Sequence, residues 1–319
     1  FENEINFKKA YFCNDVSFDS AEFYKFTDFR YAKFFEKVYF SDAYFEKNIN
    51  FNLAIFIGQV FFTKSEICSR AEFTLTEFHN LLKLNEVYGN GDLNFISCLF
   101  RSLVDLRVKK CKSINLIDSR NENIIEFEPT KAEKVGINKI HLIKLKNLGH
   151  IYIDWYKNDI QKLINNSTNS FEIKANQYRM LKENYRKLGW YEQEDKAYYE
   201  FKKNKIRAEY KQDENFLNKI KFELKKIFYE KMGVYGTKPF SIFISMIITV
   251  LAFWIIYLLF FQGKSPFFHS VITFLTIGYG SDYININSFC AKLLSGFEGF
   301  AGLFLMSYFT VAFVRKVLR

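Results

Sequence analysis

A strict eleven-residue period opens the chain and limits what its first third can fold into. From residue 10 the segments AYFCNDVSFDS, AEFYKFTDFRY, AKFFEKVYFSD, AYFEKNINFNL, AIFIGQVFFTK, SEICSRAEFTL and TEFHNLLKLNE follow one another without a break. Their third position runs Phe1, Phe12, Phe23, Phe34, Phe45, Phe56, Ile67, Phe78, and their ninth Phe7, Phe18, Phe29, Phe40, Phe51, Phe62, Phe73, Leu84. Two residues before each stands a smaller one, such as Ala10, Ala21 and Ala32 before the first series or Val16, Thr27 and Val38 before the second. In extended backbone, residues i−2 and i point to the same side, so each triplet turns one small and one large group inward. The spacing alternates five and six, which a helical period of 3.6 does not reproduce. Short strands wound into a β-solenoid satisfy it, with each coil burying its Phe rungs against the next and the end rungs needing a cover.

This stretch resembles the pentapeptide-repeat family, whose units carry a small residue two before a central Leu or Phe. The likeness covers about 110 residues and implies a right-handed quadrilateral β-helix with about four short strands per coil. A patchier β-like tail, Ile140 to Ile153, carries the solenoid domain to residues 1–153, with Cys98 and Cys111 as small inward filler. The GGxGxD turn of calcium-binding β-rolls is absent. Residues 1–130 hold 16 basic and 19 acidic side chains, too weak a field for the acidic DNA mimicry of some pentapeptide-repeat proteins. A scaffold or sensor is the expectation for this domain.

Residues 154–238 form a helical, basic connector. Tyr178, Leu181, Tyr185 and Leu188 recur at three and four, Gly189 stands where a cap belongs, and Ala197, Tyr198 and Phe201 resume the stripe. LGWYEQEDKAYYEF is similar to the turn and second helix of a tetratricopeptide repeat, but a single unit favours a spacer or assembly hairpin over peptide binding. Residues 131–238 carry 24 basic and 14 acidic side chains, which holds the chain's charge surplus of +10. Phe216, Ile220, Leu224, Ile227 and Phe228 make an apolar stripe with Lys219, Lys221, Lys225, Lys226 and Lys231 on other faces, directly before a very apolar run. An interfacial helix touching anionic lipid headgroups at Lys219, Lys221, Lys225 and Lys226 is expected, with no nucleic-acid partner.

Phe240 to Phe261 has 22 residues without a charge, about 33 Å as a helix and enough to cross a bilayer. A second span covers 289–314, with Glu298 inside it and Arg315, Lys316 and Arg319 at its exit. Basic residues flank the start of the first span and the end of the second, so both termini are expected in the cytoplasm, at the plasma membrane. Five Cys with no CxxC pair fit neither a disulfide framework nor a zinc site and read as reduced thiols. Residue 1 is Phe, so any targeting signal would lie upstream of it. No P-loop, GxSxG or complete dinucleotide loop occurs; no enzyme and no cofactor are expected.

Between the spans, QGKSPFFHSVITFLTIGYGSDYININ is too short for another crossing and too apolar for a surface turn. Pro266 suits the first turn of a pore helix over 266–275, after which come Thr276, Ile277, Gly278, Tyr279 and Gly280. This TIGYG resembles the selectivity filter of potassium channels. A dehydrating K⁺ needs closely spaced replacement oxygens, and a strand whose successive carbonyls point one way needs dihedrals that glycine permits. The resemblance covers 239–319 and implies a homotetrameric two-span channel, with K⁺ at the filter as the permeant ion and the solenoid as a regulatory or scaffold domain. Relatives often carry Asp directly after GYG; here Ser281 intervenes before Asp282. Gly299 and Gly302 are hinge candidates against a packing role, and Tyr308, Phe309 and Phe313 are candidates for a constriction. The intramembrane acid Glu298 either attracts cations or bonds the pore helix from behind the filter. His269 reads as a packing residue. A nonselective cation channel and a membrane-anchored scaffold with a vestigial pore are the alternatives.

Overall fold

The computed structural model describes residues 1–129, 136–212, 215–232, 234–261, 265–276 and 289–318. They form two compact units, Phe1–Lys205 and Ile206–Arg319.

The first unit is a β-solenoid closed by helices. Its strands, mostly two residues long, run from Ile5–Asn6 to His150–Tyr152 and stack into three seven-stranded parallel sheets and one three-stranded sheet. Val16 pairs with Val38, Val38 with Val60, Val60 with Leu82, and Leu82 with Val104, so one coil takes 22 residues and has four sides. Residues eleven apart therefore lie on opposite sides of one coil, and each series read from the sequence divides into two stacks. Phe12, Phe34, Phe56 and Phe78 stack with centroids 4.7, 4.7 and 5.1 Å apart, while Phe23 stacks on Phe45 at 4.9 Å. That spacing is the distance between neighbouring strands, so rung pairing and ring stacking reinforce each other.

The left-handed corners, two to a coil, are made without glycine. Lys9, Ser20, Tyr31, Asp42, Leu53, Lys64, Leu75, Glu86 and Ser97 repeat the eleven-residue step with φ between 55° and 62°. None is β-branched, the side-chain type least able to adopt this left-handed conformation. Past Val104 the coil shortens by one residue, with Val104 on Ile125, then lengthens to 26, with Ile125 on Ile151. The sheets nonetheless continue, so the patchy tail is a last coil of the same solenoid. Cys98 and Cys111 are buried in it; burial pushes the Cys111 thiol up to about 12, which keeps it unreactive.

Helices α1 (Ile160–Ser167), α2 (Phe171–Lys187) and the first part of α3 (Tyr191–Gln212) close this end. Ser170 caps α2 by accepting from the Ile173 N–H, and Gly189, at φ 71°, ends it. The buried face of α2 serves the last rung. Asn184 accepts from the Ile151 N–H at 2.9 Å and donates to its carbonyl at 2.8 Å, Gln177 accepts from Leu142 N–H at 2.7 Å, and Tyr185 donates to Ile153 O at 3.0 Å. A strand edge that another coil would otherwise pair is thus satisfied by side chains.

In the second unit the end of α3 pairs with α4 (Phe216–Lys225), Tyr210 stacking on Phe222 at 4.6 Å and Glu209 meeting Lys225 at 3.1 Å. Phe216, Leu217, Ile220 and Leu224 of α4 are exposed. Three further helices follow: α5 (Pro239–Phe260), α6 (Pro266–Phe274) and α7 (Phe289–Val317). Helices α5 and α7 are long and apolar enough to cross a membrane, and only 17% and 22% of their most apolar windows are buried. A core helix of a soluble domain would hide most of that surface.

Candidate functional site

Helix α5 forms because 22 residues carry no charge and Pro239 occupies its first turn, where a missing N–H costs nothing. Pro266 does the same for α6, which ends after nine residues at Phe274. The Thr276 N–H donates to Thr273 O at 3.0 Å, and Thr276 takes φ 56°, closing the helix in a left-handed turn that β-branched residues seldom adopt. Ile277, Gly278, Tyr279 and Gly280 lie outside the described residues, as do Ser281 and Asp282.

The short helix packs on both long ones. Phe274 shares a buried cluster with Ile242, Leu305 and Ala312, and Phe267 meets Trp254 edge to face at 5.6 Å. The Ser270 hydroxyl donates to Val250 O of α5 at 2.9 Å. On α7 the buried positions Ala291, Ser295, Glu298, Gly302 and Leu305 recur at four and three, a single face turned inward.

Gly302 is the tightest contact on that face. A Cβ there would lie 1.9 Å from Phe274 O and 2.8 Å from its carbonyl carbon, so glycine lets α7 reach the backbone end of α6. At Gly299 a Cβ would stand 3.5 Å from Thr273 O, an ordinary contact. Helix α7 runs through both positions. Tyr308 lies beside Gly236, and Phe309 stacks on Phe313 and meets Phe243 of α5 at 6.3 Å. Phe313 itself is half exposed.

Glu298 is fully buried inside the three helices. Its Oε2 accepts from the Tyr257 hydroxyl of α5 at 2.8 Å, and its Oε1 is bonded by Ser270 of α6. Tyr257 also lies 3.3 Å from the Ser295 hydroxyl, which is 3.0 Å from His269 Nε2, and the Tyr257 ring stands edge-on to His269 at 4.9 Å. His269, on α6, is buried as a packing and hydrogen-bonding group. Sequence reasoning singled out Glu298 without Tyr257, Ser270 or Ser295; the four–three spacing of small and polar residues on α7 was the signal for the shared face. Among the described residues no group of three or more His, Cys, Asp or Glu side chains could hold a metal ion.

No protein-family model, curated protein or solved structure matches this chain.

Proposed function

We propose that the chain is the subunit of a homotetrameric, potassium-selective channel whose β-solenoid is a cytoplasmic regulatory or scaffold domain. One observation carries the reading: a nine-residue helix, Pro266–Phe274, packed against two membrane-length apolar helices, leads at Thr276 into the sequence Thr276-Ile277-Gly278-Tyr279-Gly280. A short helix at membrane depth is tolerated where protein buries it and the following backbone lines a water-filled path. One such loop supplies a quarter of a coordination cage, and four supply the rings of carbonyls that replace the hydration shell of K⁺. Conduction is passive, K⁺ is the permeant ligand, and no cofactor takes part.

The membrane reading extends to the flanks. Lys219, Lys221, Lys225 and Lys226 accompany exposed apolar residues on and just after α4, a pattern suited to anionic headgroups. The cations before α5 and after α7 favour the cytoplasmic side of a plasma membrane for both ends of the chain. The exposed apolar surfaces of α5 and α7 are then covered by lipid and by neighbouring subunits.

The test is the reversal potential of the purified chain in planar bilayers, with K⁺ on one side and Na⁺ on the other. The expected value lies near the K⁺ equilibrium potential, and Gly278→Ala abolishes the current without changing oligomer mass. A reversal potential near zero would make the protein a nonselective cation pore. Current that survives Gly278→Ala unchanged would remove the filter from the conducting path.

A further inference from the structure

The hydrogen atoms around Glu298 do not suffice for the contacts made there unless the carboxyl brings its own. Ser270 has a single hydroxyl hydrogen, yet its Oγ lies 2.9 Å from Val250 O and within bonding distance of Glu298 Oε1 as well. One of the two contacts would set two lone pairs against each other. If Ser270 donates to Val250 O, the proton between Ser270 and Glu298 belongs to the carboxyl. The rest of the site then closes: Tyr257 donates to Oε2, and Ser295 bridges to His269. Among the described residues the titratable groups facing Glu298 are Tyr257 from α5 and His269 from α6, and none forms an ion pair with it. A buried carboxylate bonded by hydroxyls and by no cation is costly, whereas a neutral acid can both donate and accept.

We propose that Glu298 is a positioning residue, held as the neutral acid, which donates to Ser270 and accepts from Tyr257 and so ties α5, α6 and α7 together. The tie lies one helical turn before the Gly302 contact with Phe274 O, so α7 grips α6 at two levels and sets the height of the segment that enters Thr276. Its consequence for ion binding rests on the channel reading; the protonation state and the tie do not.

Glutamine reproduces the arrangement without a titrating proton, its amide donating to Ser270 while its carbonyl accepts from Tyr257. Leucine of similar size does neither. The full-length protein in nanodiscs at neutral pH is compared by infrared difference spectroscopy with its Glu298→Gln variant. The carbonyl stretch of a protonated carboxylic acid is expected in the wild type and absent from the variant. A carboxylate band in its place would overturn the neutral acid. In the same nanodiscs, K⁺ binding measured by calorimetry is expected to be unchanged in Glu298→Gln and weakened about tenfold in Glu298→Leu, the factor one buried hydrogen bond carries. Ser270→Ala is expected to reproduce the loss, and adding it to Glu298→Leu to cost little more. Glutamine behaving like leucine, or additive losses in the double variant, would overturn the tie. Absence of K⁺ binding in the wild type would instead defeat the channel reading, leaving the infrared result and the melting temperatures of the same variants to decide the tie by themselves.

Discussion

Two glycines on one helix separate packing from propensity at the scale of single residues. At Gly302 the added Cβ meets backbone, Phe274 O at 1.9 Å, and backbone cannot rotate away. Gly302→Ala is expected to destabilise the second unit by about 1–3 kcal/mol, as overpacking does, and to displace the end of α6. At Gly296 no atom of the described residues lies within 4 Å of the added Cβ, so Gly296→Ala should be neutral or stabilising by up to about 1 kcal/mol. Thermal melts in detergent check both. In the solenoid, Asp28 is nearly buried, and its carboxylate takes a forked hydrogen bond from Arg30 as well as the Arg30 N–H at 2.9 Å. Burial pushes this carboxyl up, but the Arg30 hydrogen bonds and charge outweigh it and hold it below the ordinary range. An acid depressed in the folded state stabilises above its unfolded value, about 3.9, and loses that contribution as pH falls through the folded value. The cost of Asp28→Asn in urea unfolding is therefore expected to be constant from about pH 7 to 5 and to shrink below about pH 4.

Elements stand or fall here by how their edges are closed. Asn184 satisfies both the N–H and the carbonyl of Ile151 on the last rung, so Asn184→Leu leaves two buried backbone groups unpaired and is expected to cost about 2 kcal/mol or more. The neighbouring Asn176 is exposed, and Asn176→Leu should change stability by less than about 0.5 kcal/mol; urea unfolding distinguishes them. The solenoid itself was legible because Phe at fixed intervals leaves few other foldings, and the two long helices because charge is missing from them. What the period could not give was which rings touch: the eleven-residue step is half a coil, so Phe12 finds Phe34 and not Phe23. The corners were hidden because they use Lys, Tyr or Leu where glycine would have announced a left-handed turn. Gln177 and Asn184 stood outside the apolar stripe of the hairpin and drew no attention, since only the fold brings them against Leu142 and Ile151. Glu298 stood out as a lone acid, but Tyr257 and Ser270 are ordinary residues in separate segments whose relation to it is purely spatial.

For the whole molecule, the chain divides after Lys205 into two units that each pack mainly on themselves. A stack of two-residue strands has no stability rung by rung; it gains it by burying each Phe layer under the next, and the last layer needs a lid. That lid is α1, α2 and the start of α3, with Trp155, Ile160, Leu163, Tyr178, Leu181 and Tyr185 continuing the solenoid core. Helices that a sequence reading assigns to a connector are therefore structural parts of the domain before them. A fragment of residues 1–205 is expected to be soluble, to unfold in one cooperative transition and to keep the circular dichroism of mixed strand and helix. A fragment of residues 1–158, which ends before the lid, exposes the edge at Ile151 together with the aliphatic layer of Leu142, Ile151 and Ile153 and is expected to associate through that edge. Size-exclusion chromatography with light scattering decides the matter: a monodisperse shorter fragment would mean that the rungs suffice and that α2 is a passenger. Aggregation of the shorter fragment alone would place the boundary of the folding unit after the helices, within α3.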